Sequence, residues 1–309
     1  MARSPKYIYI VGPTGVGKSD LATSLGEALQ LPIVNCDSLQ VYKNLNIGTA
    51  KPTKEEMRSV PHYLFDYVEA PKTLTVADYV DDVVNVIDEK SLSDLIFVGG
   101  SGFYIQALEK GMFPNSETPL AIKKNIDTWI DEKGMSDLYL WLKENDIEAT
   151  VAISENDHYR IRRAVEVMKT QNKKFSQLKK EMEKMNYSKL PKNDSIKVGL
   201  KMDKVHLRKR IEARAVKMIE KGLVEEVQSL LDQGLVGWSP MKSVGYKETI
   251  EFLEKKYSQE QLLERIVIST MQLIKKQMTW FKRDESIHWF DVNEKEGAKT
   301  FVEGWSKGS

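Results

Sequence analysis

Eight consecutive residues, Gly12-Pro13-Thr14-Gly15-Val16-Gly17-Lys18-Ser19, form a complete G-x-x-x-x-G-K-[ST] loop. Backbone N–H groups of such a loop converge on phosphate oxygens, and the helix that follows adds the partial positive charge of its N-terminus. Lys18 then reaches a terminal phosphate and the Ser19 hydroxyl can ligate Mg2+. The loop reads phosphate charge and shape, so it predicts a bound di- or triphosphate and leaves the rest of the ligand open.

A second cluster follows the next apolar run. Asn35-Cys36-Asp37-Ser38-Leu39-Gln40-Val41-Tyr42 precedes Ile47-Gly48-Thr49-Ala50-Lys51-Pro52. Ligands of open α/β sheets gather at the carboxyl ends of the strands, which turns Asp37 toward the phosphate loop, where it can hold Mg2+, take a proton or cap a helix. The third apolar run ends in Val98-Gly99-Gly100-Ser101-Gly102-Phe103-Tyr104. A hydrolytic P-loop enzyme carries a carboxylate at such a strand end. Two glycines stand here instead and admit a ligand or another segment close to the backbone, while Ser101 offers a hydroxyl or a helix cap.

Basic residues gather further along. In Asn156-Asp157-His158-Tyr159-Arg160-Ile161-Arg162-Arg163, Asn156 or Asp157 caps a helix whose first turns hold three arginines. Cations oppose the dipole at that end, which calls for an anionic partner unless the face is merely solvated. Met241-Lys242-Ser243-Val244-Gly245-Tyr246 and Lys275-Lys276-Gln277-Met278-Thr279-Trp280-Phe281-Lys282-Arg283 mix cations with rings. That mixture suits a nucleic-acid strand, charges for phosphates and flat faces for bases, or else core aromatics on long helices. His62, His158 and His206 share no metal-ligand spacing and read as structural.

The elements that must position these residues are those of a doubly wound, mostly parallel α/β sheet with helices on both faces. Strands are predicted at Tyr7 to Val11, Pro32 to Asn35, Leu95 to Val98, Ile196 to Met202 and Ile287 to Val292. Helical spacing covers Ser19 to Leu29, Thr75 to Lys90, His206 to Lys221, Val224 to Gln233, Lys247 to Lys256, and Gln259 to about Arg283, with Ser258 and Gln261 spaced as a capping box. From Pro114 to about Asn193 strand signals vanish, predicting a helical lobe at 114–193 inserted into a core of 1–113 and 194–309. The chain has 309 residues, enough for such a core. Its 46 Lys and Arg balance 45 Asp and Glu, so the distribution of charge and not its total must speak for a nucleic-acid partner. The single cysteine, Cys36, excludes a disulfide framework or a zinc finger and suits a reducing compartment. No stretch has the length of a signal peptide or a membrane span, so the expectation is a cytoplasmic protein without a membrane partner.

In order along the chain, GPTGVGKS, DSLQVYKNLNIGTAKP, PHYLFD, VGGSGFYIQAL, NDHYRIRRAVEV, SVGYKE and KKQMTWFKR resemble the tRNA dimethylallyltransferases, or tRNA isopentenyltransferases, from residue 8 to about 290. The resemblance implies transfer of a dimethylallyl group from dimethylallyl diphosphate to N6 of the adenosine after the anticodon, with Mg2+. It implies Asp37 as general base, Lys18 and the loop Gly12 to Ser19 on the departing diphosphate, and Ser19 on the metal. Ser101 stands at the family's threonine position and keeps its hydroxyl. By the same resemblance Asp37, Ser38, Leu39, Gln40, Ser101, Lys123, Tyr159, Arg160, Ile161, Arg162, Arg163, Met241, Lys242, Ser243, Val244, Gly245, Tyr246, Lys275, Lys276, Gln277, Trp280 and Lys282 face the tRNA anticodon stem-loop, whose target base flips out to react. Lys123 stands where the family often places arginine, a point charge in place of a two-pronged grip. The lack of a Cys/His pattern after Arg283 suits the bacterial form, expected as a monomer. Rival readings are an adenylate isopentenyltransferase acting on a free nucleotide, a small-molecule P-loop kinase, and an RNA-binding module with a merely structural loop.

Overall fold

The computed structural model describes residues 3–112 and 118–308, which divide into two compact units. The first comprises Met1–Gln106 and Leu190–Ser309, the second Ala107–Lys189. The second unit therefore differs at both ends from the helical lobe expected at 114–193, whose first residue lies outside the described residues. Its extra residues have a physical tie: Gly111 bridges to Tyr187, and the Ser188 hydroxyl donates to Leu108 O.

The first unit opens with β1 (Lys6–Val11), α1 (Lys18–Leu29), β2 (Ile33–Asn35), β3 (His62–Tyr63), α2 (Val76–Glu89), β4 (Leu95–Val98) and α3 (Gly102–Lys110), the last running on into the second unit. The second unit holds α4 (Leu120–Asn145), α5 (Ile147–Ala152), α6 (His158–Gln171) and α7 (Phe175–Lys184). The chain then returns as β5 (Asp194–Lys201), α8 (Lys204–Glu220), α9 (Leu223–Asp232), α10 (Tyr246–Leu253), α11 (Gln259–Phe281), β6 (Ile287–Asp291) and α12 (Lys295–Lys307).

The strands form one parallel sheet in the order β3-β2-β4-β1-β5-β6. Parallel strands covered on both faces become continuous apolar runs, and β1 and β4 are buried along their whole length. Ile8, Ile10, Ile96, Val98, Val198 and Leu200 join Leu21 and Leu25 of α1 and Ala298 and Val302 of α12 in one core. Helix starts follow local chemistry: Thr75 and Asp78 make a reciprocal cap on α2, Ser258 and Gln261 another on α11, and Asp203 accepts from Val205 N and His206 N to open α8 earlier than the sequence pattern suggests. Helix α12 is absent from the sequence reading. Gly297 and Gly304 dilute its helical signal, and only its docking on the sheet makes Ala298 and Val302 a core face.

The second unit buries Ile126, Leu138, Leu142, Ile161, Ala164 and Val165 as a separate core.

Candidate active site

The phosphate loop leaves β1 along a path that only glycine can take. Gly12 has φ 139°, and a methyl there would lie 2.5 Å from the Leu200 carbonyl oxygen of β5. Val16 is buried, Gly17 sits left-handed at the N-cap of α1, and the N–H groups of the first helical turn follow it. Lys18 folds back over the loop, its Nζ donating to Pro13 O at 2.9 Å. Ser19 is exposed beside it in sequence at the start of α1.

Asp37 stands just beyond β2, where Cys36 N still bonds to Val98 O of β4. Asn35, fully buried, fixes its backbone: Oδ1 accepts from Asp37 N at 2.9 Å, while Nδ2 donates to Asp37 O and Leu64 O. The Asp37 Oδ1 atom accepts from Leu39 N and Gln40 N. One carboxylate oxygen thus serves the turn, and Oδ2 makes no hydrogen bond among the described residues. Ser101 joins this turn, its Oγ accepting from Ser38 N at 3.0 Å and lying 3.3 Å from Ser38 Oγ.

Two cations share the electrostatic field of Asp37. Burial presses the Lys18 ammonium down to about 8, Asp37 pulls it back up, and Arg214 pushes it down again. Arg214, on α8, is depressed by its own burial, with Asp37 opposing and Arg210 adding to the effect. Its Nη2 donates to Thr49 O at 3.2 Å, the carbonyl that Gln40 Nε2 also reaches. Sequence reasoning missed Arg214. Its signal was the spacing: it lies three residues after Ile211 and next to Ala215, on the buried side of an otherwise charged helix.

Glu226 of α9 was missed for the same reason. Its carboxylate accepts from the N–H groups of Asn46, Ile47 and Gly48 and from the Tyr246 hydroxyl at 2.6 Å, tying down the segment that follows Asp37. Tyr246 is wholly buried with its ring against Gly48, so it offers no face to a base. Met241 and Gly245 are buried beside it, whereas Lys242 is exposed and Ser243 and Val244 are half-buried.

The glycines after β4 receive other segments. A methyl on Gly99 would lie 2.1 Å from Cys36 O, and one on Gly100 would lie 2.4 Å from Gln277 Nε2. From α11, Gln277 donates through Nε2 to Gly100 O at 3.2 Å and accepts through Oε1 from Thr14 N at 2.9 Å. Trp280, three residues on, packs over Gly102 and edge-on to Phe103. Phe281 belongs to the core, and Lys275, Lys276 and Lys282 are exposed.

In the second unit the arginines have internal anions. Asp157 caps α6 and pairs with Arg160; Arg162 pairs with Asp127 and Glu166; Arg163 pairs with Glu166 and donates to Thr118 Oγ1 at 2.9 Å. Glu166 is buried. Ile161 is wholly buried, Tyr159 is 78% exposed, and Lys123 is exposed on α4.

Among the described residues no cluster of three His, Cys, Asp or Glu could hold a metal alone, and no helix is long and apolar enough to cross a membrane. The Ser19 hydroxyl, exposed at the start of α1, is a hard oxygen donor that fits Mg2+ completed by phosphate oxygens and water and would not fit a softer metal.

A sequence model of the family described as IPP transferase matches residues 40–284. The tRNA dimethylallyltransferase of Bdellovibrio bacteriovorus is 43% identical over 298 residues, covering 96% of this chain and 94% of that protein. That of Syntrophomonas wolfei is 37% identical, with 94% and 92% covered. Among solved structures, the tRNA isopentenylpyrophosphate transferase of Staphylococcus epidermidis superposes with TM-score 0.69 at 28% identity, over 99% of this chain and 100% of that one. A eukaryotic dimethylallyltransferase acting on tRNA gives TM-score 0.84 at 25% identity, over 98% and 80%.

Proposed function

The chain belongs to the IPP transferase family, and on that premise we propose that it transfers the dimethylallyl group of dimethylallyl diphosphate to N6 of the adenosine following the anticodon of tRNA, in the cytoplasm, releasing diphosphate. The observation that carries this reading is a complete phosphate loop, with Lys18 folded over it, whose neighbouring strand β4 is followed by Gly99 and Gly100 in place of a carboxylate, while Lys18 and Arg214 both feel the charge of one carboxylate, Asp37. A hydrolytic P-loop enzyme carries a carboxylate at that strand end to organise metal and water; a prenyl transfer activates no water and does not need one.

In the reaction the C1–O bond to the diphosphate breaks, the N6–C1 bond forms, and N6 loses a proton. The loop N–H groups, Lys18 and Arg214 hold the charge that builds on the departing diphosphate. Asp37 takes the N6 proton through the oxygen that its turn leaves open. Ser101 holds the Ser38 backbone and thereby the Asp37 turn. Mg2+, held by the Ser19 hydroxyl with diphosphate oxygens, would add charge neutralisation at the leaving group. The tRNA faces are assigned to exposed or half-buried groups: Ser38, Leu39, Gln40, Lys242, Lys275, Lys276, Trp280 and Lys282 in the first unit, and Lys123, Tyr159 and Arg160 in the second.

The test is to supply labelled dimethylallyl diphosphate and Mg2+ with either unfractionated tRNA or AMP. Label in tRNA alone is the expected result. Label in AMP moves the protein to the free-nucleotide branch, and stoichiometric ADP release from ATP would make it a kinase.

A further inference from the structure

The Gln277 amide closes one end of the phosphate loop, and we propose that this amide limits the loop to two phosphates, setting the preference for a diphosphate over a triphosphate. The proposal rests on the diphosphate-donor reading above.

The argument begins with the loop's donors. Pro13 has no N–H, and Val16 N turns back to Pro13 O. Thr14 N is taken by Gln277 Oε1 at 2.9 Å. The N–H groups left for a ligand are those of Gly15, Gly17, Lys18 and Ser19, at the helix side of the loop. In loops of this type the lysine meets the last two phosphates of a nucleoside triphosphate. Here the Lys18 ammonium lies at Pro13 O, so the far end of a phosphate chain points toward Pro13 and Thr14. That is where the Gln277 side chain stands. A third phosphate would meet a carbonyl oxygen, a lone pair facing an anion, on the one N–H that would otherwise receive it.

The amide is locked in this orientation. Thr14 N requires an acceptor and Gly100 O requires a donor, so the oxygen and nitrogen of Gln277 have only one consistent arrangement. The room for it exists because Gly100 has no side chain: a methyl there would lie 2.4 Å from Nε2. Glutamate would satisfy Thr14 yet repel Gly100 O, and it would place an anion beside the diphosphate. Glutamine is the residue that excludes a further phosphate without repelling the two that belong.

The experiment is calorimetric titration of the full chain with inorganic diphosphate and with inorganic triphosphate, both with Mg2+. The wild type is expected to prefer diphosphate by about tenfold or more, the scale of one hydrogen bond to a charged group. Gln277→Ala is expected to gain triphosphate affinity and shrink that preference about tenfold, with diphosphate binding changed by less than about threefold. Gln277→Ser opens the same space with a small polar side chain, and the same shift is expected from it. A wild type with no preference, or an unchanged ratio in either folded variant, overturns the proposal. Absence of any diphosphate binding by the wild type overturns the donor reading instead.

Discussion

The phosphate-loop crevice and the helical lobe treat their cations in opposite ways. In the crevice, half-buried Lys18 and Arg214 both feel a single carboxylate, Asp37, one of whose oxygens is committed to a turn, so positive charge is held in excess. In the lobe, Arg162 and Arg163 are answered by Asp127 and Glu166, so that most of the misplaced charge at the start of α6 is settled internally, and Arg160 beside Asp157 stays on the exposed rim. A cation poised for an anionic ligand is one the fold leaves short of partners; a cation that builds the fold is one it has paired. A basic stretch in the sequence does not distinguish them.

The comparison breaks first at Asp37. Asp37→Asn keeps the turn acceptor and removes the base, and single-turnover prenylation is expected to slow by about 10²- to 10⁴-fold with tRNA affinity nearly unchanged. A normal rate would remove Asp37 from proton transfer.

Lys18→Met comes next. Turnover is expected to fall by roughly 10²- to 10³-fold, the loss of one preorganised contact to developing negative charge. The same change is expected to stabilise the ligand-free protein. The folded pKa, about 8, lies below the ordinary 10.5, so between those values the unfolded chain holds a proton that the folded one lacks and stability rises with pH. Below pH 8 the full penalty applies, and the substitution is expected to relieve on the order of 1–3 kcal/mol there, a gain that fades toward pH 10.5. Urea titrations at pH 7 and pH 10 would expose a Lys18 that is not strained at all. For the wild type, kcat/KM is expected to decline as pH rises through about 8, where free Lys18 loses its charge.

In the lobe the expected order of effects reverses. Glu166→Ala leaves Arg162 and Arg163 without their shared anion, and about 1–3 kcal/mol of stability is expected to go, less than for a fully buried pair because both arginines are partly exposed. Loss of tRNA affinity with full thermal stability would mean that these groups serve the ligand after all. The smallest effect is expected from Arg160→Ala, on the exposed rim: the logarithmic salt dependence of anticodon stem-loop binding should drop by about one, with folding unaltered.

The phosphate loop, the strands at its side and the Asp37 turn were legible because each is a local pattern: a glycine spacing, an apolar run, a polar residue after a strand. Arg214, Glu226 and the position of Gln277 were not, because each is polar on a helix rich in charge and is singled out only by long-range contact. All three share a trace in the sequence. Arg214 follows Ile211 by three, Glu226 follows Leu223 by three, and Gln277 stands between Ile274 and Phe281, each inside the apolar stripe of its helix. A polar residue in such a stripe must find a partner, and here the partners are the backbone of the phosphate loop and of the segment after Asp37. Tyr246 illustrates the opposite error: an aromatic among cations resembles a base platform, yet its hydroxyl and ring are spent on Glu226 and Gly48.

The central place of β1, hydrogen-bonded to β4 on one side and to β5 on the other, has a consequence in time. Synthesis releases the phosphate loop well before Asp194, which pairs with Lys6, and Arg214, Glu226 and Gln277 emerge later still. A chain still on the ribosome therefore carries Lys18 without β5 and Arg214, and diphosphate capture has to wait until both have emerged; protection of ribosome-stalled chains from protease by diphosphate before Arg214 has emerged would disprove that delay.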